Sequence, residues 1–171
     1  KKIERRSKFL LFFFNKSMIM LVHFGMTGKF FFVNKKNKKF RTSFYYNINN
    51  KKDHKHDRVV FFLNRNQKLI YNDIRKFGFI KFLNSKNYND NLHLSNLGPE
   101  PLGKLFNYSY FKQYIKAKNR AIKDVLMDQK FVSGIGNIYA SEILFLSKVK
   151  PTRKAKNLMN FELKEIIKFT K

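Results

Sequence analysis

The segment Leu97-Gly98-Pro99-Glu100-Pro101-Leu102 constrains this chain more than any other. Two prolines and a glycine this close together disfavour any regular element. Proline fixes φ, lacks an N–H and biases the residue before it away from the helix. The hydrophobic pattern differs on the two sides of the break. Before it, short apolar and aromatic runs read as strands: Lys8–Phe14, Ser17–Phe24, Phe30–Val33, Phe40–Ile48, Arg58–Leu63, Lys68–Tyr71 and Lys76–Leu83. Turn residues separate them. Asn15-Lys16 reads as a two-residue turn, Gly25–Gly28 as a loop, Asn34–Lys39 as a charged turn, and Asn64–Gln67 as a second hairpin turn. Asn49–Asp57 is polar throughout. After the break the spacing becomes helical. Tyr108–Lys118 is one candidate; Ile122, Val125 and Leu126 form a second stripe. Tyr139, Ile143 and Leu146 form a third, in a helix expected to end at Pro151, and Leu158–Thr170 a fourth. The expected fold is α+β with two domains. A partial β-sandwich over 1–83 leads through an interdomain connection, 84–103, to an all-helical domain over 104–171.

Charge narrows the partners. Lys+Arg 37 against Asp+Glu 11 gives +26. The excess is spread out: 22 basic and 6 acidic groups in 1–103, then 15 and 5 in 104–171. Codon bias in an A/T-rich genome would raise Lys, but it would raise Glu as well, so the shortage of acids is the informative half. A polyanion is the natural partner, nucleic acid first. Cysteine is absent, which removes disulfides, a cysteine nucleophile and any thiolate zinc site from these residues. No apolar run approaches the roughly 18 residues of a membrane span. The basic N-terminus is followed by no small-residue cleavage site, so no signal peptide is expected.

Three motifs are specific. The first runs Ile122-Lys123-Asp124-Val125-Leu126-Met127-Asp128-Gln129, then Gly134-Ile135-Gly136-Asn137-Ile138-Tyr139-Ala140-Ser141-Glu142, to Pro151. The second is Asp73-Ile74-Arg75-Lys76-Phe77-Gly78, and the third His23-Phe24-Gly25-Met26-Thr27-Gly28. On chemistry alone, the glycines permit a tight turn, the N–H groups at the following helix start can hold a phosphate, and Asn137 can cap that helix or donate its amide to the same phosphate. Arg75 and Phe77, two apart at a strand start, would point the same way from extended backbone. In this order, with the linker, the motifs closely resemble the formamidopyrimidine-DNA glycosylase family of bacterial base-excision repair, across essentially the whole chain. The endonuclease VIII branch fits less well.

The resemblance implies a helix-two-turn-helix domain and a set of roles. A base is reached only after it leaves the stack, and the gap it leaves must be filled. Arg75 would face the orphaned base, with Phe77 and Met26 as void-filling wedges. Lys76 stands where the family often has Arg, keeping charge without the bidentate fork. Lys8 would contact the damaged nucleotide's phosphate and assist catalysis. His56, Lys118, Arg120 and Asn137 would bind DNA, although Lys118 and Arg120 only flank the matching position, which is Asn119. The bland alternatives are core packing for Phe77, a loop methionine for Met26, and solvated polar surface for Lys8, His56, Lys118 and Arg120. His54 and His56 without further ligands are weak evidence for metal.

The implied activity is that of a bifunctional DNA glycosylase/AP lyase, excising oxidised purines (8-oxoguanine, formamidopyrimidines) and nicking the strand by β,δ-elimination. The alternative is a non-catalytic remnant that binds damaged DNA; an RNA-binding protein is a third reading, without a motif to support it. The family's N-terminal proline nucleophile and following glutamate match no residue near Lys1-Lys2-Ile3-Glu4. The expectation is therefore an internal fragment, inactive alone. It would also lack the C-terminal structural zinc finger and the loop that reads the damaged base. Zinc is expected in the full-length family protein and none on this chain. The expected partner is damaged double-stranded DNA, with no membrane, and the expected setting a monomer in the bacterial cytoplasm.

Overall fold

A computed structural model describes residues 2–34, 39–41 and 54–171. The chain divides into two compact units: Lys1–Glu4 with Phe9–Ser85, and Arg5–Lys8 with Lys86–Lys171.

The first unit is built from antiparallel strands in two four-stranded sheets. One is ordered β1 (Lys2–Arg6), β2 (Phe9–Phe13), β3 (Met18–His23), β8 (Phe79–Asn84). The other is ordered β5 (Lys39–Arg41), β4 (Lys29–Val33), β7 (Gln67–Asn72), β6 (Asp57–Leu63). Side chains that alternate along each strand meet between the sheets. Met20 and Val22 from β3 pack with Phe30 from β4 and Tyr71 from β7, surrounded by Leu10, Phe12, Phe61, Leu69 and Ile80. Phe30 sits edge-on to Phe12 and Phe24. A sandwich is the outcome, as the pattern of short strands and turns predicts.

Three details differ from expectation. The first hairpin closes through three residues, Asn15 to Ser17, with Phe14 N–H donating to Met18 O; Lys16 and Ser17 take the left-handed conformation. The expected strand Lys76–Leu83 begins only at Phe79, because Lys76 is left-handed (φ +59°) and ends extended pairing there. Of the expected strand Phe40–Ile48, only Phe40 and Arg41 are described, as part of β5; most of Asn34–Lys39 and Asn49–Asp57 likewise lies outside the described residues.

The second unit packs four helices: α1 (Tyr108–Ile115), α2 (Ile122–Met127), α3 (Asn137–Leu146) and α4 (Asn160–Thr170). Its core contains Phe106, Phe111, Ile122, Leu126, Phe131, Leu144, Leu163 and Ile166, all essentially inaccessible to solvent. Asn107 caps α1 by accepting from Tyr110 N–H at 3.0 Å. At α4, Glu162 accepts from Met159 N–H and pairs with Arg153. Helix α3 stops at Leu146, five residues short of Pro151. Val149 N–H returns to Leu144 O and Lys148 N–H to Phe145 O, with Lys148 left-handed (φ +56°), so a Schellman-type end precedes the proline. Helix α1 likewise ends before Lys118. The proline-rich segment is tightly held: Gly98 N–H donates to Gln129 O, and Ser133 N–H to Pro99 O.

Candidate nucleic-acid interface

In the sandwich unit, the loop after β3 and the segment between β7 and β8 are joined around one carboxylate. Asp73 is 1 % exposed. It accepts from the Thr27 hydroxyl, from Gly78 N–H at 2.9 Å and from the Tyr71 hydroxyl at 3.3 Å. Burial alone would push its carboxyl up; the hydrogen bonds from Thr27, Gly78, Tyr71 and Lys76 N–H outweigh it and hold the group below the usual carboxylate range. Tyr71, buried beside that charge, is pushed above its ordinary value. Gly78 is required by space: a Cβ there would lie 1.9 Å from the Tyr71 hydroxyl and 2.5 Å from His23 O.

This buried anchor supports an exposed cluster. Met26 is 62 % and Phe77 56 % exposed, and Arg75 is exposed between them. The Arg75 guanidinium lies over the Phe77 ring, 4.6 Å from its centroid, and its Nη1 donates to Met26 Sδ at 3.2 Å. Extended backbone is not what aligns Arg75 with Phe77, since left-handed Lys76 stands between them. Their side chains meet through cation–π stacking instead. Lys76 is exposed. His56 ends a short 3₁₀ turn, His54–His56, and its carbonyl accepts from Asp73 N–H; Arg58 donates to Asp73 O at 2.9 Å and meets His56 Nδ1 at 3.4 Å. His56 therefore borders the same loops.

In the helical unit, residues 128–136 connect α2 to α3. Gln129 uses both ends of its amide: Nε2 donates to Met127 O and Ile135 O, and Oε1 accepts from Gly134 N–H and the Ser7 hydroxyl. Gly134 turns at φ +94°, where a side chain would be strained. The Lys8 ammonium donates to Ile135 O at 3.4 Å and rests against Gly136, where a Cβ would come within 3.1 Å of it. Desolvation there holds it below the usual lysine value. The N-cap of α3 is Gly136, with no side-chain cap; Asn137 is the first helical residue, exposed, and its amide makes no hydrogen bond among the described residues. The capping role open to Asn137 is thus not taken, and its amide faces solvent beside the unpaired N–H groups of the first turn.

The segment Arg5–Lys8 is itself pinned. Glu100 pairs with Arg5 (2.9 Å) and Arg6 (2.8 Å) and accepts from Ser7 N–H. Burial would raise its carboxyl, but these donors hold it below its ordinary value. Lys118 lies over the Tyr114 ring at 4.9 Å, and Arg120 is engaged by Asp128 at 2.7 Å. Both stand between α1 and α2. Sequence reasoning missed the supporting residues Gln129, Glu100, Thr27 and the buried Asp73, although all four lie within the quoted motifs or linker. Cysteine is absent from the sequence, and among the described residues no three His, Asp or Glu side chains gather where they could hold a metal ion. No helix among the described residues is long and apolar enough to cross a membrane.

Comparisons with known proteins agree with one another. Residues 1–80 match the formamidopyrimidine-DNA glycosylase N-terminal domain, and residues 97–171 match the formamidopyrimidine-DNA glycosylase H2TH domain. Among curated relatives, formamidopyrimidine-DNA glycosylase of Rickettsia bellii is 38 % identical over 165 residues, 96 % of this chain and 55 % of its own length. That of Ureaplasma parvum is 38 % identical over 170 residues, 99 % of this chain and 56 % of its own. The chain thus spans about half the length of the relatives it matches. Among solved structures, Lactococcus lactis Fpg in complex with DNA containing an abasic site superposes with a TM-score of 0.82 at 26 % identity, covering 98 % of this chain and 56 % of that one. MutM in complex with DNA containing carbocyclic 8-oxo-G gives 0.81 at 26 % identity, covering 98 % and 57 %. With both units matched in order and the whole described architecture shared, the chain belongs to the formamidopyrimidine-DNA glycosylase family.

Proposed function

We propose that this chain is the duplex-gripping and duplex-opening part of a DNA glycosylase/AP lyase that excises oxidised purines, 8-oxoguanine and formamidopyrimidines, and nicks the strand by β,δ-elimination. The observation that supports this best is the exposed cluster Met26–Arg75–Phe77, raised on a buried, fully bonded Asp73. An exposed aromatic ring clamped by a guanidinium is costly to leave in water and well suited to enter a base stack. When a damaged nucleotide is extruded, Phe77 and Met26 fill the gap, and Arg75 hydrogen-bonds the unpaired partner base. Lys76 and His56 hold the flanking backbone.

The start of α3 supplies a different contact. Its first-turn N–H groups, the Asn137 amide and the Lys8 ammonium all offer donors to a phosphate. A lysine of lowered basicity that donates to a phosphate can also return a proton to a leaving group, the assisting role assigned to Lys8. Lys118 and Arg120 extend the positive surface, with Arg120 oriented by Asp128. No residue of this chain is assigned the attacking amine.

The test is duplex binding as a function of salt, with abasic, 8-oxoguanine and undamaged duplexes side by side. The expected result is tighter binding of the abasic duplex and a steep negative log–log slope, about −0.9 per phosphate contacted. A slope near zero, or equal affinity for damaged and undamaged DNA, would overturn the reading. Tighter binding of RNA than of abasic DNA would favour an RNA-binding protein instead. With these residues alone, borohydride should trap no adduct, or only a weak lysine-linked one; robust strand cleavage would show that the attacking amine is among them after all.

A further inference from the structure

The exposed cluster depends on two chain segments that are remote in sequence. Met26 comes from the loop after β3, and Arg75 and Phe77 from the segment before β8. Gly25 packs against the Phe77–Gly78 backbone, and a single hydroxyl hydrogen-bonds both segments. Thr27 Oγ1 donates to the Asp73 carboxylate and accepts from the Arg75 backbone N–H at 3.0 Å. A hydroxyl can do both at once; a carboxylate only accepts and an N–H only donates. Without it, the Arg75 N–H and one Asp73 oxygen each lose a partner, and the hydrogen-bonded link between the Met26 loop and the Arg75 backbone is gone; the close approach of Gly25 to Phe77 and Gly78 remains. The Arg75 side chain would still reach Met26 Sδ, but from a backbone whose own N–H has lost its partner.

We infer that Thr27 is a positioning residue for duplex opening: its hydroxyl, read against Asp73, holds the Arg75 backbone in register with Met26 so that guanidinium, ring and thioether present one surface to the gap. Its hydroxyl is spent within the protein, on Asp73 and the Arg75 N–H. It acts through Arg75, and it works as a bidirectional hydrogen-bond link, so serine can replace it and valine, of the same shape, cannot. This rests on the duplex-opening reading of the cluster.

The experiment compares the intact protein with Thr27→Val and Thr27→Ser. The probe is a duplex carrying 2-aminopurine beside an abasic-site analogue, whose fluorescence rises when the stack is opened. Thr27→Val should lose most of that rise and about tenfold in preference for the abasic over the undamaged duplex, while binding undamaged DNA unchanged. Thr27→Ser should retain both. The Arg75 amide, followed by hydrogen exchange without DNA, should lose protection in Thr27→Val and keep it in Thr27→Ser. Native-like fluorescence or native-like Arg75 protection in Thr27→Val would overturn the inference, as would equal loss of damaged and undamaged binding. If the unsubstituted protein gives no fluorescence rise, the duplex-opening reading falls, and the Arg75 exchange result still decides whether Thr27 is the link.

Discussion

Around Asp73 a loop is held by side chains converging on a buried charge; ahead of α3 a turn is held by one amide, Gln129, and by glycine geometry. The first arrangement places its anchor inside and pushes Met26, Arg75 and Phe77 outward. The second leaves backbone donors exposed and adds one flexible cation, Lys8. The difference suits the two tasks proposed for these regions. A wedge must be stiff and shaped, because unstacking bases costs a few kcal/mol that only a preset surface can offset. A phosphate grip needs only donors at a helix start, and it tolerates any sequence of DNA.

The contrast can be broken most severely at Gly78. Gly78→Ala forces a methyl group into the Tyr71 hydroxyl and His23 O, so the sandwich unit should lose about 3 kcal/mol or more, read as a lowered melting transition. An unchanged transition would mean these loops are looser than their contacts. Gln129→Ala strands Gly134 N–H and leaves Ile135 O with only the longer bond from Lys8, costing about 2 kcal/mol by denaturant titration, with the loss confined to the helical unit. Asn137→Ala should weaken every duplex about equally, by roughly 1–2 kcal/mol in equilibrium binding, since a phosphate contact reads no sequence. Phe77→Ala should instead spare undamaged DNA and reduce the 2-aminopurine signal; equal loss of both would assign Phe77 to folding.

The smallest effect concerns pH. Asp73 and Glu100 both titrate below their ordinary values when folded. Their contribution to stability is therefore complete above the unfolded carboxylate pKa, about 4, and is lost as pH falls through the lower folded values. Thermal melts should be flat with respect to these groups from pH 8 to about 5 and fall below. Asp73→Asn should flatten the acid limb for the sandwich unit, and Glu100→Gln for the helical unit; an acid limb unaltered by both would place acid sensitivity elsewhere.

Much of this was legible from local rules. Short apolar runs bounded by turn residues mark β2, β3 and β7, a 3.6-residue stripe marks α2 and α4, and the Gly134–Asn137 turn is readable because glycine there has few other uses. Boundaries were less so. The strand expected from Lys76 starts at Phe79 because a left-handed residue intervenes, and left-handed Lys, unlike Gly, leaves no mark in composition. The end of α3 was hidden in the same way by left-handed Lys148.

By itself, the sequence determined the two periodic halves, the positive charge that calls for a polyanion, and the residue types available to meet one. Tertiary structure decided which of those residues meet. That Arg75 stacks on Phe77 and reaches Met26 follows from Asp73 and Thr27 joining segments 46 residues apart, and hydrogen bonds across such a distance obey no sequence period. Local patterns record which face a residue presents; only folding brings the faces together.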